Sequence, residues 1–328
     1  MHARLYSRAD ERETLDLFRA SFGKQITREY WRWLEENPAG GIIRTVMEDA
    51  GSIAGYYSVM PLRLKAADCE MLSALSVGTM THPDYRGKGV FTNLARETYA
   101  ITRQKGIEFI CGFPNDNSYP GFIKNLGWFD ICQMPLLELE MAGSKGIAQA
   151  RKGLCVSHVR EYQKEIGSIH AAPSTSFSIM NYRSCEHLNW RYRELCMWEG
   201  QPERKYEKYV VRDADGGIVG YMALKLYNGK DEKKAHIVDI LTLPGRSDAF
   251  ECLAAEAYEY ALENNADSIS CWMLEHTDYY SQLLGMGYKD SQEKRQIFAG
   301  CLNSQRSKKE FIADKDKWFI TMGDSDVF

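Results

Sequence analysis

Hydrophobic and polar positions alternate along this chain in two rhythms, one of strands and one of helices. Residues 1–8 read as a short strand. Asp10-Glu11-Arg12-Glu13 then opens a helix carrying Leu15, Phe18 and Phe22 at helical spacing, ended near Gly23. A second helix is predicted from Ile26 to Glu35, stopped by Asn37-Pro38-Ala39-Gly40-Gly41. Ile42–Glu48 and Ile53–Met60 predict a hairpin through Asp49-Ala50-Gly51, with a third strand near Arg63–Ala67. Residues 72–81 form the next strand, carrying the apolar run Leu75-Ser76-Val77-Gly78-Thr79-Met80. A helix follows with Val90, Leu94 and Ile101 on one side and Arg96, Glu97 and Arg103 on the other, ended by Gly106. Ile107–Phe113 reads as a buried strand and residues 114–121 as a polar loop. A short helix ends at Asn125-Leu126-Gly127-Trp128, and residues 133–140 make a last strand.

The second half echoes the first at an offset of about 160 residues. Trp190-Arg191-Tyr192-Arg193-Glu194 follows Trp31-Arg32-Trp33-Leu34-Glu35, and Ile218-Val219-Gly220-Tyr221 follows Ile53-Ala54-Gly55-Tyr56. Pro244 stands for Pro83, and Leu284-Gly285-Met286-Gly287-Tyr288 for Lys124-Asn125-Leu126-Gly127-Trp128. So long a period indicates a duplicated domain and not a solenoid. The division expected is residues 1–140, a small and polar linker at 141–153, a second domain at 154–290 and an extension at 291–328. Within the extension Trp318–Met322 reads as a strand before an acidic end.

Composition narrows the function. At 328 residues, with 44% hydrophobic and 26% charged positions, the chain has the balance of a soluble globular protein. A net charge of −4 gives no electrostatic case for nucleic acid, and no apolar run is long enough to span a membrane. The N-terminus lacks a signal-peptide core, and nine cysteines without C-x-x-C spacing suit reduced thiols, so a cytoplasmic protein without a metal site is expected. Cys69, Cys111 and Cys271 are read as small hydrophobes before nucleophiles.

The chemistry gathers at Met80-Thr81-His82-Pro83-Asp84-Tyr85-Arg86-Gly87-Lys88-Gly89-Val90-Phe91-Thr92. A glycine-rich turn opening a helix presents successive backbone N–H groups to an anion, and Gly87 and Gly89 let that backbone come close. Arg86 and Lys88 add positive charge. The spacing is neither a Walker A loop nor a dinucleotide fingerprint. An ordinary strand-to-helix turn with solvated cations is the other reading.

This stretch resembles motif A of the GNAT superfamily of acyl-CoA-dependent N-acyltransferases, whose signature [RQ]-x-x-G-x-[GA] runs here as Arg86-Gly87-Lys88-Gly89-Val90-Phe91. Phe91 departs from the small residue usual there. The resemblance implies an α/β fold of two GNAT-like domains in tandem, each a mixed, mostly antiparallel sheet flanked by helices. It implies acetyl-CoA as co-substrate, with its pyrophosphate on amides from Gly87 to Thr92 and its pantetheine along Thr79, Met80 and Thr81. Asn115 and Asn117 fall where relatives touch CoA, or are turn formers. Opposite the glycine loop the second half has Gly245-Arg246-Ser247-Asp248, with an Asp where the anion would sit, so that copy is expected to have lost its cradle.

Acyl transfer to an amine also needs protons moved. The position where the family often places a tyrosine is Ile123 here, and Tyr119 is the nearest substitute, with packing as its other reading, since Tyr279 takes the same offset in the second half. His82 reads as a surface residue before a base. Asp324, Asp326 and the Phe328 carboxylate supply a base if the tail returns across the first domain, and are a solvated terminus otherwise. Tyr30, Trp31, Trp33 and Tyr57 are core or acceptor-pocket wall. The expected activity is acetyl transfer to a primary amine, on a small molecule or a protein, by direct attack. A non-catalytic acyl-CoA-binding protein and a transferase of another acyl group are the alternatives.

Overall fold

The computed structural model describes the chain except residues 145, 148–152, 173–176, 202–203, 305–308 and 327–328, and the side chains of 292–294. The first half runs β1 (His2–Leu5), α1 (Glu11–Phe22), α2 (Arg28–Glu35), β2 (Ile43–Asp49), β3 (Ser52–Ala66), β4 (Cys69–Thr81), α3 (Val90–Gln104), β5 (Phe109–Gly112), α4 (Tyr119–Leu126) and β6 (Phe129–Glu140). The second runs β7 (Cys155–Val159), α5 (Gly167–Ala171), β8 (Ile179–Asn181), α6 (Cys185–Arg191), β9 (Glu207–Arg212), β10 (Ile218–Asn228), β11 (Lys233–Thr242), α7 (Ser247–Glu263), β12 (Ser268–Trp272), α8 (Asp278–Gly285) and β13 (Lys289–Leu302). A tail carries α9 (Lys309–Ala313) and β14 (Trp318–Phe319).

Local chemistry sets the helix ends. Gly23 takes a left-handed conformation after α1, and the Thr27 side chain accepts the Tyr30 amide to start α2. The two strands expected at 53–60 and 63–67 are one. Pro61 does not break β3, because it falls between β2, which ends opposite Val59, and β8, which begins opposite Leu64.

A single sheet runs through both halves, in the order β1-β2-β3-β4-β5-β13-β6-β12-β11-β10-β9-β7. Each half lends its last strand to the other: β13 lies antiparallel on β5, β6 lies antiparallel on β12, and β13 and β6 pair with each other. Residues 291–302, placed in an extension by the sequence reading, are therefore a central strand. Gly300 lets β13 lie there, since a Cβ would collide with the Phe109 ring and the Ile110 carbonyl.

The halves meet again at α2 and α6. Trp33 Nε1 donates to the Trp190 carbonyl at 2.7 Å, and Trp190 Nε1 donates back to the Trp33 carbonyl at 2.9 Å. Their rings stack at 4.5 Å, nearly parallel. Both tryptophans stand six residues after their caps, Thr27 and Ser184, so Trp33 is the counterpart of Trp190, and not Trp31 as the sequence echo aligned them. One hydrophobic cluster spans both halves, and a smaller one packs α3 and α4 on the far face of β2–β5.

Candidate functional site

β4 and β5 start as neighbours and then part. Their parallel pairing covers Ser73–Phe109, Ala74–Ile110 and Leu75–Cys111, while β4 continues to Thr81 and β5 stops at Gly112. Between Val77 and Met80, β4 carries a bulge, with Gly78 at φ +60° opposite a normal stretch of β3. The V-shaped gap opens into a cavity of about 440 Å³. Ser76, Val77, Gly78 and Thr79 form one wall, and Gly112, Phe113, Pro114 and Asn115 the other. Thr79 thus faces the gap, whereas Met80 is buried opposite Tyr56, and Thr81 pairs with Gly55.

Beyond β4 the chain makes a short turn over Pro83–Tyr85 and enters the glycine loop. Gly87 and Gly89 both have φ near +75°, and a Cβ at Gly87 would meet nothing within 4 Å, so the loop face is open. Arg86, Gly87, Lys88 and Gly89 are exposed, Val90 is buried under the first turn of α3, and Thr92 is half-buried beside it. Gly55 seats that turn against β3, where a Cβ would strike Val90. The first amides of a 15-residue helix lack carbonyl partners within it and point at this loop. Phe91, the departure from the motif, turns inward onto Phe122 at 5.0 Å and against Gly121, where a Cβ would come 2.8 Å from its ring. A small residue on α4 compensates a large one on α3.

The other chemistry-bearing residues scatter. Tyr119 Oη donates to Asp130 at 2.8 Å, which holds its pKa above the usual tyrosine value, and the side chain is not among those lining the cavity. Asn115 Oδ1 accepts the amides of Asn117 and Ser118, a turn at the start of α4, and Asn117 is exposed. His82 Nδ1 accepts the Asp84 amide beside the loop. Cys111 and Cys271 are buried, and burial pushes both thiols up. Tyr30 and Trp31 line the cavity, Trp33 lies in the inter-half stack, and Tyr57 is buried with its hydroxyl on Ser76 and Tyr99.

The tail does reach the first half. After β14, Thr321 caps a turn with Asp324, and two buried arginines of the second half grip it. Arg183 donates to Asp324 at 2.8 Å and to Asp239, which also accepts from Tyr192, Tyr221 and Thr321. Arg191 donates to the carbonyls of Gly323 and Ser325 at 2.9 and 2.8 Å. A buried carboxylate with this many donors is satisfied and fixes geometry. The next residue, Asp326, lines the cavity, and burial raises its pKa. Phe328 lies outside the described residues. Asp324 is committed to Arg183 and is half-buried away from the gap, so among the described residues of the acidic tail Asp326 is the one that faces it.

A loop of the second half closes the remaining side. Thr27 donates its amide to the Met197 carbonyl at 3.0 Å, Glu199 donates to Gln25 at 2.9 Å, and Ile26 bridges Trp198. Met197, Trp198 and Arg204 thereby join Phe18, Phe22 and Tyr30 around the cavity. Nothing in the sequence links these positions to the glycine loop, because contacts from residues 195–204 depend on the docking of the halves.

The comparisons with known proteins agree with this geometry. Residues 2–129 match the family model of the acetyltransferase (GNAT) domain. A conserved protein of unknown function from Enterococcus faecalis V583 superposes with a TM-score of 0.72 at 13% identity, covering 92% of this chain and 72% of its own. A GCN5-related N-acetyltransferase from Anabaena variabilis gives 0.70 at 12% identity, over 92% and 73%. A tandem GNAT protein from the clavulanic acid biosynthesis pathway gives 0.58 at 13% identity, over 93% and 99%. No curated protein matches the sequence. Residues 2–129 are thus similar to the GNAT acetyltransferase domain, and the fold of the whole is similar to that of a tandem GNAT protein.

Proposed function

We propose, from the similarity of its first half to the GNAT acetyltransferase domain, that the chain is an N-acyltransferase that moves acetyl from acetyl-CoA to a primary amine. One observation carries this reading: a single cavity joins the gap between β4 and β5 to an aromatic chamber with one carboxylate, Asp326. The gap suits pantetheine, with backbone groups of the β4 edge along one wall, and the loop from Gly87 to Thr92 suits the pyrophosphate. Amides near the bulge at Gly78 would stabilise the negative charge that develops on the thioester oxygen.

The chemistry then balances with few groups. Asp326 takes one proton from the acceptor ammonium, and its raised pKa makes it a better base than an exposed carboxylate. The amine nitrogen attacks the thioester carbon, a C–N bond forms and the C–S bond breaks. The second nitrogen proton leaves with the CoA thiolate as free thiol, and Asp326 returns its proton to solvent. Attack is direct: burial raises the thiol pKa of Cys111, Cys132, Cys271 and Cys301, and no acyl-enzyme is required. Nine cysteines outside any disulfide favour a reducing, cytoplasmic setting.

The test follows thiol release from acetyl-CoA across a panel of small amines, with CoA binding measured by titration calorimetry for the wild type and Gly89→Glu. We expect release with at least one acceptor class and CoA binding lost in the variant, where a carboxylate occupies the anion loop. Tight CoA binding without turnover on any amine would favour the regulatory reading, for which the engagement of Tyr119 by Asp130 is the supporting observation.

A further inference from the structure

Two opposite charges, Arg204 and Asp326, face the acceptor side of the cavity within electrostatic reach of each other. Arg204 sits over the Tyr30 ring at 5.7 Å and its nearest polar contact is the Met197 sulfur, a weak acceptor. Asp326 faces the same space from the tail. Among the described residues neither forms an ion pair within 4 Å. Electrostatic attraction from Arg191 and Arg204 does lower the Asp326 pKa, but burial outweighs it.

Arg204 has no structural task that would explain its place. The tail is gripped by Arg183 and Arg191, so Arg204 is not needed to hold it. The CoA phosphates belong at the other end of β4, in the glycine loop, which does not line the cavity. Arg204 packs on the Tyr30 ring and the Met197 thioether, and acts electrostatically on Tyr206, Lys225 and Asp326. A half-buried guanidinium that makes no ion pair among the described residues is suited to receive a carboxylate.

We propose that the acceptor is a zwitterion, an amino acid or similar small amine that carries its own carboxylate, with the carboxylate on Arg204, the amine toward Asp326, and an apolar or aromatic side chain against Phe18, Phe22 and Tyr30. This rests on the transferase reading and names its acceptor. The charge pattern disfavours polycations, because a second ammonium would meet Arg204. It also disfavours the simple amine of the same side chain, which leaves Arg204 desolvated and unpaired.

The experiment measures kcat/KM by thiol release for matched triples, such as phenylalanine, phenylalanine amide and 2-phenylethylamine. We expect the amino acid to be preferred over both carboxylate-free partners by about 10- to 100-fold, the usual worth of one charged hydrogen-bond pair. Arg204→Met should collapse that ratio toward one through KM, and Arg204→Lys should retain part of it. Faster turnover of the carboxylate-free amines, or a ratio unaltered in Arg204→Met, overturns the proposal while leaving acyl transfer intact. Calorimetry of the same triples on the CoA complex separates the other case. Carboxylate-dependent binding without turnover supports the zwitterion site and overturns the transferase reading.

Discussion

The two halves share a frame and differ in what fills it. β4 and β11 both part from their parallel neighbours after three residue pairs, and both carry a bulge 160 residues apart, at Gly78 and at Val238. His82 and Leu243, each just before a proline, donate back to the preceding strand in the same way. In the first half the gap is open. In the second, Tyr279 stands at the end of β11, its hydroxyl accepting the Thr242 amide at 3.1 Å and its ring stacked on Phe250 at 4.7 Å, and lines a smaller cavity of about 330 Å³. The loop differs likewise: Arg246 and Asp248 neutralise each other at 2.8 Å, where the first half keeps Arg86 and Lys88 beside two open glycines. The two halves thus share the backbone that shapes the gap and differ there by a handful of side chains.

The comparison also corrects a pairing. Tyr119 bonds Asp130, two residues after Trp128, and Tyr280 bonds Asp290, two residues after Tyr288. Tyr280 is therefore the counterpart of Tyr119, and Tyr279, which the offset matched to Tyr119, corresponds to Ser118. Ser118 lines the cavity of the first half, and Tyr279 lines the smaller one, about 330 Å³, at the end of β11.

What the second half keeps is the grip on the tail, and its removal should have the largest effect. Asp326→Asn is expected to lower kcat by about 100- to 10,000-fold, the usual range for a positioned base. In the wild type the rate should fall as pH drops through the raised Asp326 pKa, and this limb should vanish in the variant. The stability effect has the opposite sign. A carboxyl whose folded pKa is raised stabilises the fold below its unfolded pKa, and that contribution is lost as pH rises through the folded value. Asp326→Asn should therefore unfold no earlier than wild type at pH 7 in a thermal melt. A kcat within a few-fold of wild type would remove Asp326 from the mechanism.

Ser118→Tyr carries the tyrosine of the second half into the first. We expect CoA affinity to fall by about 100-fold, as steric filling of a slot forfeits its contacts, with the melting temperature little changed. Unaltered CoA binding in titration would mean that Tyr279 does not account for the difference between the two gaps. Trp190→Ala addresses the joint on which the comparison depends. It removes the stacked ring and one of two reciprocal hydrogen bonds, and a loss of about 3–5 kcal/mol is expected from urea unfolding. A loss under about 1 kcal/mol would show that the halves are held by the shared strands alone.

How much of this the sequence disclosed follows from the range of the interactions involved. Gly23, the two hairpin strands and the turn at Gly87–Gly89 act over a few residues, and their spacing announces them. The echo of Ile53-Ala54-Gly55-Tyr56 at Ile218–Tyr221 revealed the duplication, since Gly55 and Gly220 both permit close packing that any Cβ would prevent. The exchange of β6 and β13 was hidden. Residues 289–296 are mostly polar and irregular, and pairing with β5 is decided by sheet closure some 180 residues away in sequence, as in the contact of Gln296 with the Pro114 carbonyl. Arg204 stayed invisible for the same reason, while the acidic end of the tail was noticed but its destination depended on Arg183 and Arg191, whose roles only the fold assigns.

The smallest effect is expected at Tyr119, and it separates two ways of reading the repeat. If Tyr119 were the acid that protonates the thiolate, Tyr119→Phe would cost about 100-fold or more in kcat. Its hydroxyl is instead spent on Asp130, its pKa is raised by that bond, and Tyr280 repeats the arrangement in a half without the Gly87–Gly89 loop. A feature kept in both copies, with and without that loop, is accounted for by the join between a helix and the strand after it. We therefore expect Tyr119→Phe to change kcat by less than about 3-fold and to destabilise the fold by about 1 kcal/mol, the net worth of a hydrogen bond. Tyr280→Phe should match it in stability and leave the rate alone. A large rate loss in Tyr119→Phe only would place the hydroxyl at the thioester during turnover, and the two halves would then differ in chemistry as well as in packing.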